Sequence, residues 1–211
     1  MKKFAILRSV EPTMTRSEVD VAALQSIFSL GAIDIPPDEA YDSRLTRESQ
    51  LSWIRSFWHE GSDWGLCLYT ARSVVDLEVY HTECAVPYVA FDPVAELRSD
   101  RFTEAESGRT RLPAGCVQFS IEATLPPTVA AESGDLENIR WLAAQCGAVI
   151  PEGLTGPVHW VRAYVHESSP RVLAVYAAPD ETTRQKLTEA FEAARATVRP
   201  LTEITPEEYI E

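Results

Sequence analysis

The sequence predicts an α+β protein built from two similar units, each with the element order βαββαβ. Two stretches of nineteen residues, 53–71 and 160–178, align without a gap and are identical at eight positions. A repeat of this quality indicates duplicated structure. In both copies two β-rich runs flank a short turn, and helical patterns precede and follow that pair of runs.

The first two elements of each half are a strand and a helix. We place the strands at 4–7 and 117–121, where apolar residues dominate. The first helix is predicted at 17–30 and its counterpart from Asp135 onward, because apolar residues recur there at helical spacing. The period then changes to two, which marks the start of the repeated stretch.

A β-hairpin and a second helix follow in each half. The hairpin turns are Gly-Ser-Asp at 61–63 and Ser-Ser-Pro at 168–170, residue types that favour turns. Ser73 and Asp180 stand at equivalent positions after the hairpins, and both are predicted N-caps of the second helices.

A closing strand completes each half. These strands are predicted at 88–97 and 196–204, although Pro93 and Pro200 interrupt them. The resulting order is that of the split βαβ, or ferredoxin-like, unit. We place the first unit at 1–98, a polar linker at 99–115 and the second unit at 116–211.

Composition restricts the class of function. The chain has 211 residues and a formal net charge of −13, a sign that repels nucleic acid and anionic membrane surfaces. Its apolar runs are shorter than the ~20 residues of a membrane-spanning helix, and its N-terminus reaches a charge too early for a signal peptide. No phosphate-binding glycine loop, zinc-peptidase motif or serine-hydrolase motif occurs. We expect a cytoplasmic protein with no nucleotide cofactor and no nucleic-acid or membrane partner.

Segments of both halves resemble a family of small bacterial proteins of largely unknown function that has nickel-binding members. Residues 160–165 and 172–181 are similar to the family's signature hairpin and its run into the second helix, and 78–87 is similar to its second-helix segment. That family forms dimeric α/β barrels from ferredoxin-like units. The resemblance implies a pseudo-dimeric α/β barrel formed by two tandem ferredoxin-like units of one chain, as a monomer or weak homodimer.

The metal hypothesis concerns the second helix of the first half. Glu78, His81 and Cys84 recur there at i, i+3 and i+6, and Cys67 lies on the preceding strand. Imidazole and thiolate ligands suit nickel or zinc. The resemblance therefore implies a small metal-binding protein of the nickel type, or a metal-responsive one, with a transition metal as cofactor.

The alternative function is an enzyme or binder of a small acidic or aromatic molecule in the barrel cavity, of the cofactor-independent oxygenase, isomerase or cyclase type. Strand alternation puts the hairpin tryptophans, arginines and histidines on one face. We predict that this face lines the barrel, and the reverse assignment stays open. The candidate cavity residues are Trp53, Arg55, His59, Tyr69, Glu122, Trp160, Arg162, Tyr164, His166 and Tyr176.

Two arginines inside a barrel need anionic partners, because an unpaired buried charge is costly. Glu122 is one candidate, and its counterpart in the first half is Leu7. One arginine would then bind a carboxylate or phosphate of a ligand. In the other interpretation Arg55 and Arg162 reach solvent or pair with loop carboxylates. Both arginines stand where the family often has a histidine.

No catalytic residue is assigned, and the question of enzymatic activity stays open. Cys67 or Cys84 with His81 as its base is a conceivable nucleophile. Tyr69 and Tyr176 are conceivable proton donors, although paired core aromatics explain them equally well. A scaffold that binds no small ligand is the third hypothesis.

Overall fold

The computed structural model describes residues 1–32, 51–83, 88–99, 101–102, 110–124, 135–152, 154 and 157–209. The predicted α+β class is confirmed. The chain divides into two compact units: unit 1 is Met1–Val94 with Glu203–Glu211, and unit 2 is Ala95–Thr202. These limits differ from the predicted ones because they cut through the last strand of each half.

Unit 1 is an antiparallel sheet with two helices. It contains β1 (Lys2–Ser9), α1 (Arg16–Ala32), β2 (Leu51–Trp58), β3 (Trp64–Ala71), α2 (Val74–Glu83) and the first part of β4 (Ala90–Arg98). Strand β1 pairs with β3 and β4, and β2 pairs with β3. A short 3-10 helix, Pro206–Glu208, lies against β2.

Unit 2 repeats this arrangement. It contains β5 (Val117–Thr124), α3 (Asp135–Cys146), β6 (His159–His166), β7 (Arg171–Ala178), α4 (Glu181–Ala193) and most of β8 (Thr197–Ile204). Strand β5 pairs with β7 and β8, and β6 pairs with β7, all antiparallel. Both halves therefore have the predicted βαββαβ order.

Both predicted N-caps are confirmed. The Asp180 carboxylate accepts a hydrogen bond from the Thr183 N–H at 2.6 Å. Ser73 and Asp76 cap α2 reciprocally: the Asp76 N–H donates to Ser73 Oγ at 3.3 Å, and the Ser73 N–H donates to the Asp76 carboxylate at 3.1 Å. These side chains satisfy backbone donors that have no partner within the helix, which fixes where each helix begins.

The closing strands run through their prolines. Pro93 of β4 lies opposite Phe4, and Pro200 of β8 lies opposite Phe119. Proline removes one N–H donor but its fixed φ is compatible with an extended strand. The two prolines thus occupy equivalent positions without ending either strand.

Each hairpin contains a β-bulge at the same place. The pairing register shifts between Trp53 and Arg55 in β2, and between Trp160 and Arg162 in β6. One extra residue reverses the alternation of side chains beyond it. The prediction that the tryptophans and arginines share a face is therefore wrong.

The face of each sheet that is covered by helices forms a hydrophobic core, which we call the helix-facing layer. In unit 1 its buried members include Phe4, Ile6, Trp53, Tyr69, Leu77 and Tyr80. In unit 2 they include Phe119, Ile121, Ile139, Trp160, Tyr176 and Leu187. Among the residues described, no helix has both the length and the apolar character that a membrane span requires.

Candidate functional site

The two hairpin arginines form buried ion pairs with glutamates of the closing strands. Arg55 pairs with Glu203, with side-chain exposures of 4% and 7%. Arg162 Nη1 lies 3.0 Å from Glu96 Oε1, with exposures of 0% and 5%. Each guanidinium thus has a carboxylate partner within its own unit, so charge balance does not demand an anion from a ligand.

Sequence reasoning did not identify these glutamates. A signal was available, because Glu96 and Glu203 are 107 residues apart, as are Arg55 and Arg162. The repeat therefore duplicates whole ion pairs. It was missed because the glutamates lie in the closing strands, where the resemblance between the halves is weakest.

Glu122 binds two arginines that sequence reasoning did not pair with it. It accepts hydrogen bonds from Arg171 and from Arg199, the latter at 2.9 Å. Burial alone would raise the pKa of Glu122, but the hydrogen bonds from these two guanidinium groups outweigh burial and lower it. Glu122 is therefore a charged structural residue of unit 2.

The candidate tyrosines and tryptophans of the hairpins belong to the helix-facing layers. Tyr176 donates to Asn138 Oδ1 at 2.5 Å. Burial raises the pKa of Tyr69 and of Tyr176, which makes both phenols weak acids at neutral pH. Trp53 and Trp160 lie in the same two layers, 7% and 5% exposed.

The remaining cavity candidates have local roles. The carbonyl oxygen of His59 accepts hydrogen bonds from the Ser62 N–H and hydroxyl at 3.1 and 2.5 Å, which shapes the hairpin turn. His166 ends β6 and is half-buried. The Tyr164 hydroxyl lies 3.4 Å from the Glu96 carboxylate, beside the Arg162 ion pair.

The proposed metal ligands do not come together. Glu78 is exposed on α2, whereas His81 is 2% exposed and faces the core. Cys67 accepts a hydrogen bond from Arg8, a cation that would repel a metal ion. Cys84 lies outside the described residues. Within the described part of the chain, no group of three or more His, Cys, Asp or Glu side chains could hold a metal.

His81 is packed among aromatic rings. Its ring centroid lies 4.9 Å from that of Tyr80 and 6.1 Å from that of Tyr69, and Tyr88 and Phe91 lie at 5.3 and 5.2 Å. These rings occupy the space around the imidazole. The helical pattern that predicted a ligand thus marks a core position.

A polar cluster that sequence reasoning missed lies in the helix-facing layer of unit 1. We call Arg8, Ser56 and Cys67 the thiol cluster. Arg8 Nε donates to Cys67 Sγ at 3.0 Å, and Ser56 Oγ donates to the same sulfur at 2.9 Å. Trp53 Nε1 donates in turn to Ser56 Oγ at 3.0 Å. The sulfur thus accepts two hydrogen bonds, one of them from a cation.

Three strands position the thiol cluster. Cys67 lies opposite Ile6 on β1 and opposite Ser56 on β2. Arg8 follows Ile6 by two residues and so faces the same side. Ser56 reaches this side only because the bulge reverses the alternation after Trp53, which explains why strict alternation failed to predict the cluster.

Electrostatics couples the cluster to its neighbours. Burial alone would lower the pKa of Arg8, but attraction to Cys67 and Tyr69 and the hydrogen bond to Cys67 raise it overall. Burial, followed by the influence of Tyr80 and Cys67, raises the pKa of Tyr69. A permanent positive charge therefore lies beside the sulfur and near two phenols.

Unit 2 has alanine at each equivalent position. Phe4 lies opposite Tyr69 in unit 1, and Phe119 lies opposite Tyr176 in unit 2, so Phe4 and Phe119 are equivalent. Four residues further along each strand, Arg8 is therefore equivalent to Ala123. The repeat matches Ser56 with Ala163 and Cys67 with Ala174, and each pair is directly opposed across its hairpin. The three alanines, Ala123, Ala163 and Ala174, are buried in the core of unit 2.

Comparison with known proteins leaves the family open. No protein-family model and no curated protein sequence matches the chain. Solved structures that the comparison matched include a predicted monooxygenase from Lactobacillus acidophilus NCFM, with 8% identity over 96% of this chain and 94% of that one and a TM-score of 0.39. A mutant chlorite dismutase from Candidatus Nitrospira defluvii has 6% identity, coverages of 95% and 90% and a TM-score of 0.41.

A third structure is a DypB variant from Rhodococcus jostii RHA1 in complex with heme, with 8% identity, coverages of 98% and 93% and a TM-score of 0.38. We base no function on similarities at this level.

The prediction of a nickel-type metal-binding or metal-responsive protein is wrong, as is that of a nickel or zinc cofactor. Glu78 is exposed whereas His81 is buried, and Arg8 places a positive charge beside Cys67. No group of three or more metal ligands forms among the described residues. Glu78 and His81 do lie on one helix, α2, but their spacing did not show which side of that helix enters the core.

Proposed function

We propose that the protein acts on or binds a small carboxylate at the thiol cluster of unit 1, as an enzyme or as a binding protein. The observation that carries this proposal is the contrast between Arg8, Ser56 and Cys67 and the alanines of unit 2. Both sets occupy the same backbone positions.

The contrast argues against a purely structural role. Polar groups in a helix-facing layer cost free energy unless their hydrogen bonds compensate for lost hydration. Unit 2 forms the same layer with Ala123, Ala163 and Ala174. Since the architecture does not require polar residues at these positions, their presence in unit 1 favours a chemical role.

The chemistry of the cluster favours an anionic ligand. Arg8 is half-buried, so its charge is both partly desolvated and within reach of solvent. A guanidinium binds carboxylates strongly in such surroundings.

A triple variant, Arg8→Ala with Ser56→Ala and Cys67→Ala, tests this proposal because it copies the residues of unit 2. Thermal unfolding is measured with benzoate, phenylacetate or succinate, and with neutral benzamide as the control ligand. We expect at least one carboxylate to raise the Tm of the parent and not that of the folded triple variant. An equal shift in both proteins, or no shift in the parent, would refute the proposal.

We also infer that the two halves arose by tandem duplication. The repeated hairpin, the matching bulges and the equivalent ion pairs support this inference. The pseudo-dimeric barrel, the cytoplasmic location and the monomeric or weakly dimeric state stay predictions from the sequence. Light scattering across a range of protein concentrations tests the last of these.

A further inference from the structure

We propose that Cys67 is a nucleophilic thiol that a small peroxide oxidises to a sulfenic acid. This inference uses the site of the proposed function but does not require that a carboxylate bind there. Three observations support it: the donors to the sulfur, the surroundings of the other described cysteines, and an indole N–H in the same layer.

The donors favour the reactive form of the sulfur. Arg8 Nε and Ser56 Oγ both point their hydrogens at Cys67 Sγ, at 3.0 and 2.9 Å. A neutral thiol is a weak acceptor, whereas a thiolate is a strong one, and the thiolate is the nucleophile. A guanidinium at hydrogen-bond distance stabilises negative charge on the sulfur.

The other described cysteines lack this arrangement. Burial raises the pKa of the thiols of Cys116 and Cys146, which disfavours their thiolates. Both are half-buried, as Cys67 is. The three cysteines are therefore similar in burial but differ in the charges and donors around the sulfur. Cys146 is for this reason a matched internal control for Cys67.

An indole donor faces the same layer. Trp58 follows Ser56 by two residues on β2 and belongs to the helix-facing core of unit 1. Its side chain is 5% exposed, and its Nε1 has no hydrogen-bond acceptor among the described residues. A buried N–H without an acceptor is costly. An oxygen atom that a peroxide brings within reach of this N–H would supply an acceptor.

The step balances with the peroxide as the oxidant. The thiolate lone pair of Cys67 attacks one peroxide oxygen, an S–O bond forms, and the O–O bond breaks. The bonding pair leaves with the second oxygen, which takes up the proton released by the thiol. With hydrogen peroxide the products are the sulfenic acid and water. Arg8 faces the charge that develops on the departing oxygen and stabilises it.

The half-buried sulfur also restricts the oxidant. A small neutral peroxide reaches such a site more easily than a bulky electrophile does. We therefore expect Cys67 to discriminate between hydrogen peroxide and a large alkylating reagent. An exposed thiolate would react with both according to its nucleophilicity alone.

The test compares proteins that keep one thiol each. Cys67 remains in a Cys84→Ser, Cys116→Ser, Cys146→Ser protein, and Cys146 remains in the matched Cys67→Ser, Cys84→Ser, Cys116→Ser protein. Each is treated with hydrogen peroxide near neutral pH in the presence of dimedone, and the adduct is followed by mass spectrometry. Circular dichroism checks that both proteins are folded.

We expect Cys67 to be trapped at least about tenfold faster than Cys146, a ratio that corresponds to stabilisation of the thiolate by one charge-assisted hydrogen bond. Arg8→Ala in the Cys67 protein should remove most of this advantage, and Arg8→Lys should restore part of it. Equal rates for the two thiols, or a rate unchanged by Arg8→Ala, would overturn the inference.

The outcomes separate this inference from the proposed function. Rapid trapping of Cys67 with no carboxylate-dependent rise in Tm supports the thiol chemistry and refutes carboxylate binding. A carboxylate-dependent rise in Tm with slow trapping refutes the thiol chemistry alone. Ser56→Ala is a second test of the thiol chemistry, because the loss of one donor to the sulfur should slow trapping without removing the charge of Arg8.

Discussion

Arg55 of β2 and Glu203 of β8 form an ion pair that joins residues 148 positions apart and is almost completely removed from water. Arg162 and Glu96 form the equivalent pair in unit 2. Each pair lies on the side of its hairpin opposite to the tryptophan that precedes it, because of the bulge. The same costly buried interaction therefore occurs in both halves.

Glu203→Ala should destabilise the protein by about 3 kcal/mol, because it removes the Glu203 carboxylate from the buried Arg55 guanidinium. Urea denaturation measures the change. Arg16→Ala, which removes partly exposed ion pairs with Asp20 and Glu208, should cost less than about 1 kcal/mol. Equal losses in the two variants would show that the buried Arg55 ion pair contributes no more to stability than a surface ion pair does. Replacing both Arg55 and Glu203 by apolar residues should recover part of the loss.

The contribution of Glu122 to stability should disappear in acid. Its pKa in the folded protein is lowered, so its stabilising effect is complete above the ordinary value of 4.5 and is lost as the pH falls through the folded value. Glu122→Gln should therefore be less stable than the parent at about pH 7 and equally stable at about pH 2. Urea unfolding at both pH values gives the comparison. A stability difference that persists unchanged in acid would contradict the charge interaction with Arg171 and Arg199.

Tyr176→Phe should cost about 1–2 kcal/mol, because the Asn138 side chain loses a buried hydrogen bond of 2.5 Å. Tyr164→Phe is the matched control, since its hydroxyl lies 3.4 Å from Glu96 and contributes a weaker bond. Chemical denaturation of both variants measures the difference. A larger loss for Tyr164→Phe would show that hydrogen-bond length does not govern these two positions.

Tyr209 should ionise late in an alkaline titration. Burial and the hydrogen bond that it donates to Asp20 at 2.5 Å raise its pKa to about 12. The stabilisation that this bond provides is present below the ordinary value of 10.0 and is lost as the pH rises through the folded value. Absorbance at alkaline pH, compared with that of Tyr209→Phe, isolates this phenol. Asp20→Asn should shift its titration toward 10, whereas Glu18→Gln on the same helix should leave it unchanged.

Much of the fold could be predicted because it depends on local patterns. The repeated hairpin established the order of the elements, and Ser73 and Asp180 marked helix starts because their side chains cap nearby N–H groups. The site could be predicted less well. Cys67 was identified as a candidate metal ligand and as a conceivable nucleophile with His81 as its base, but neither Arg8 nor Ser56 was included.

The failures share a cause. The metal prediction used the spacing of Glu78 and His81 on α2, yet spacing does not state which side chain enters the core. The pairing of Arg55 and Arg162 with glutamates depends on neighbours distant in sequence, as does the contact between Arg8 and Cys67. Such contacts follow from strand register rather than from any local pattern.

The amino-acid sequence by itself determined two βαββαβ halves, since periodicity, turn residues and caps act over a few residues. Only the tertiary structure decided which side chains meet, because a single extra residue in β2 and in β6 reverses the faces that follow it. That reversal brings Ser56 to Cys67 in unit 1 and Ala163 to Ala174 in unit 2. The same backbone thus carries a polar cluster in one half and a plain hydrophobic core in the other.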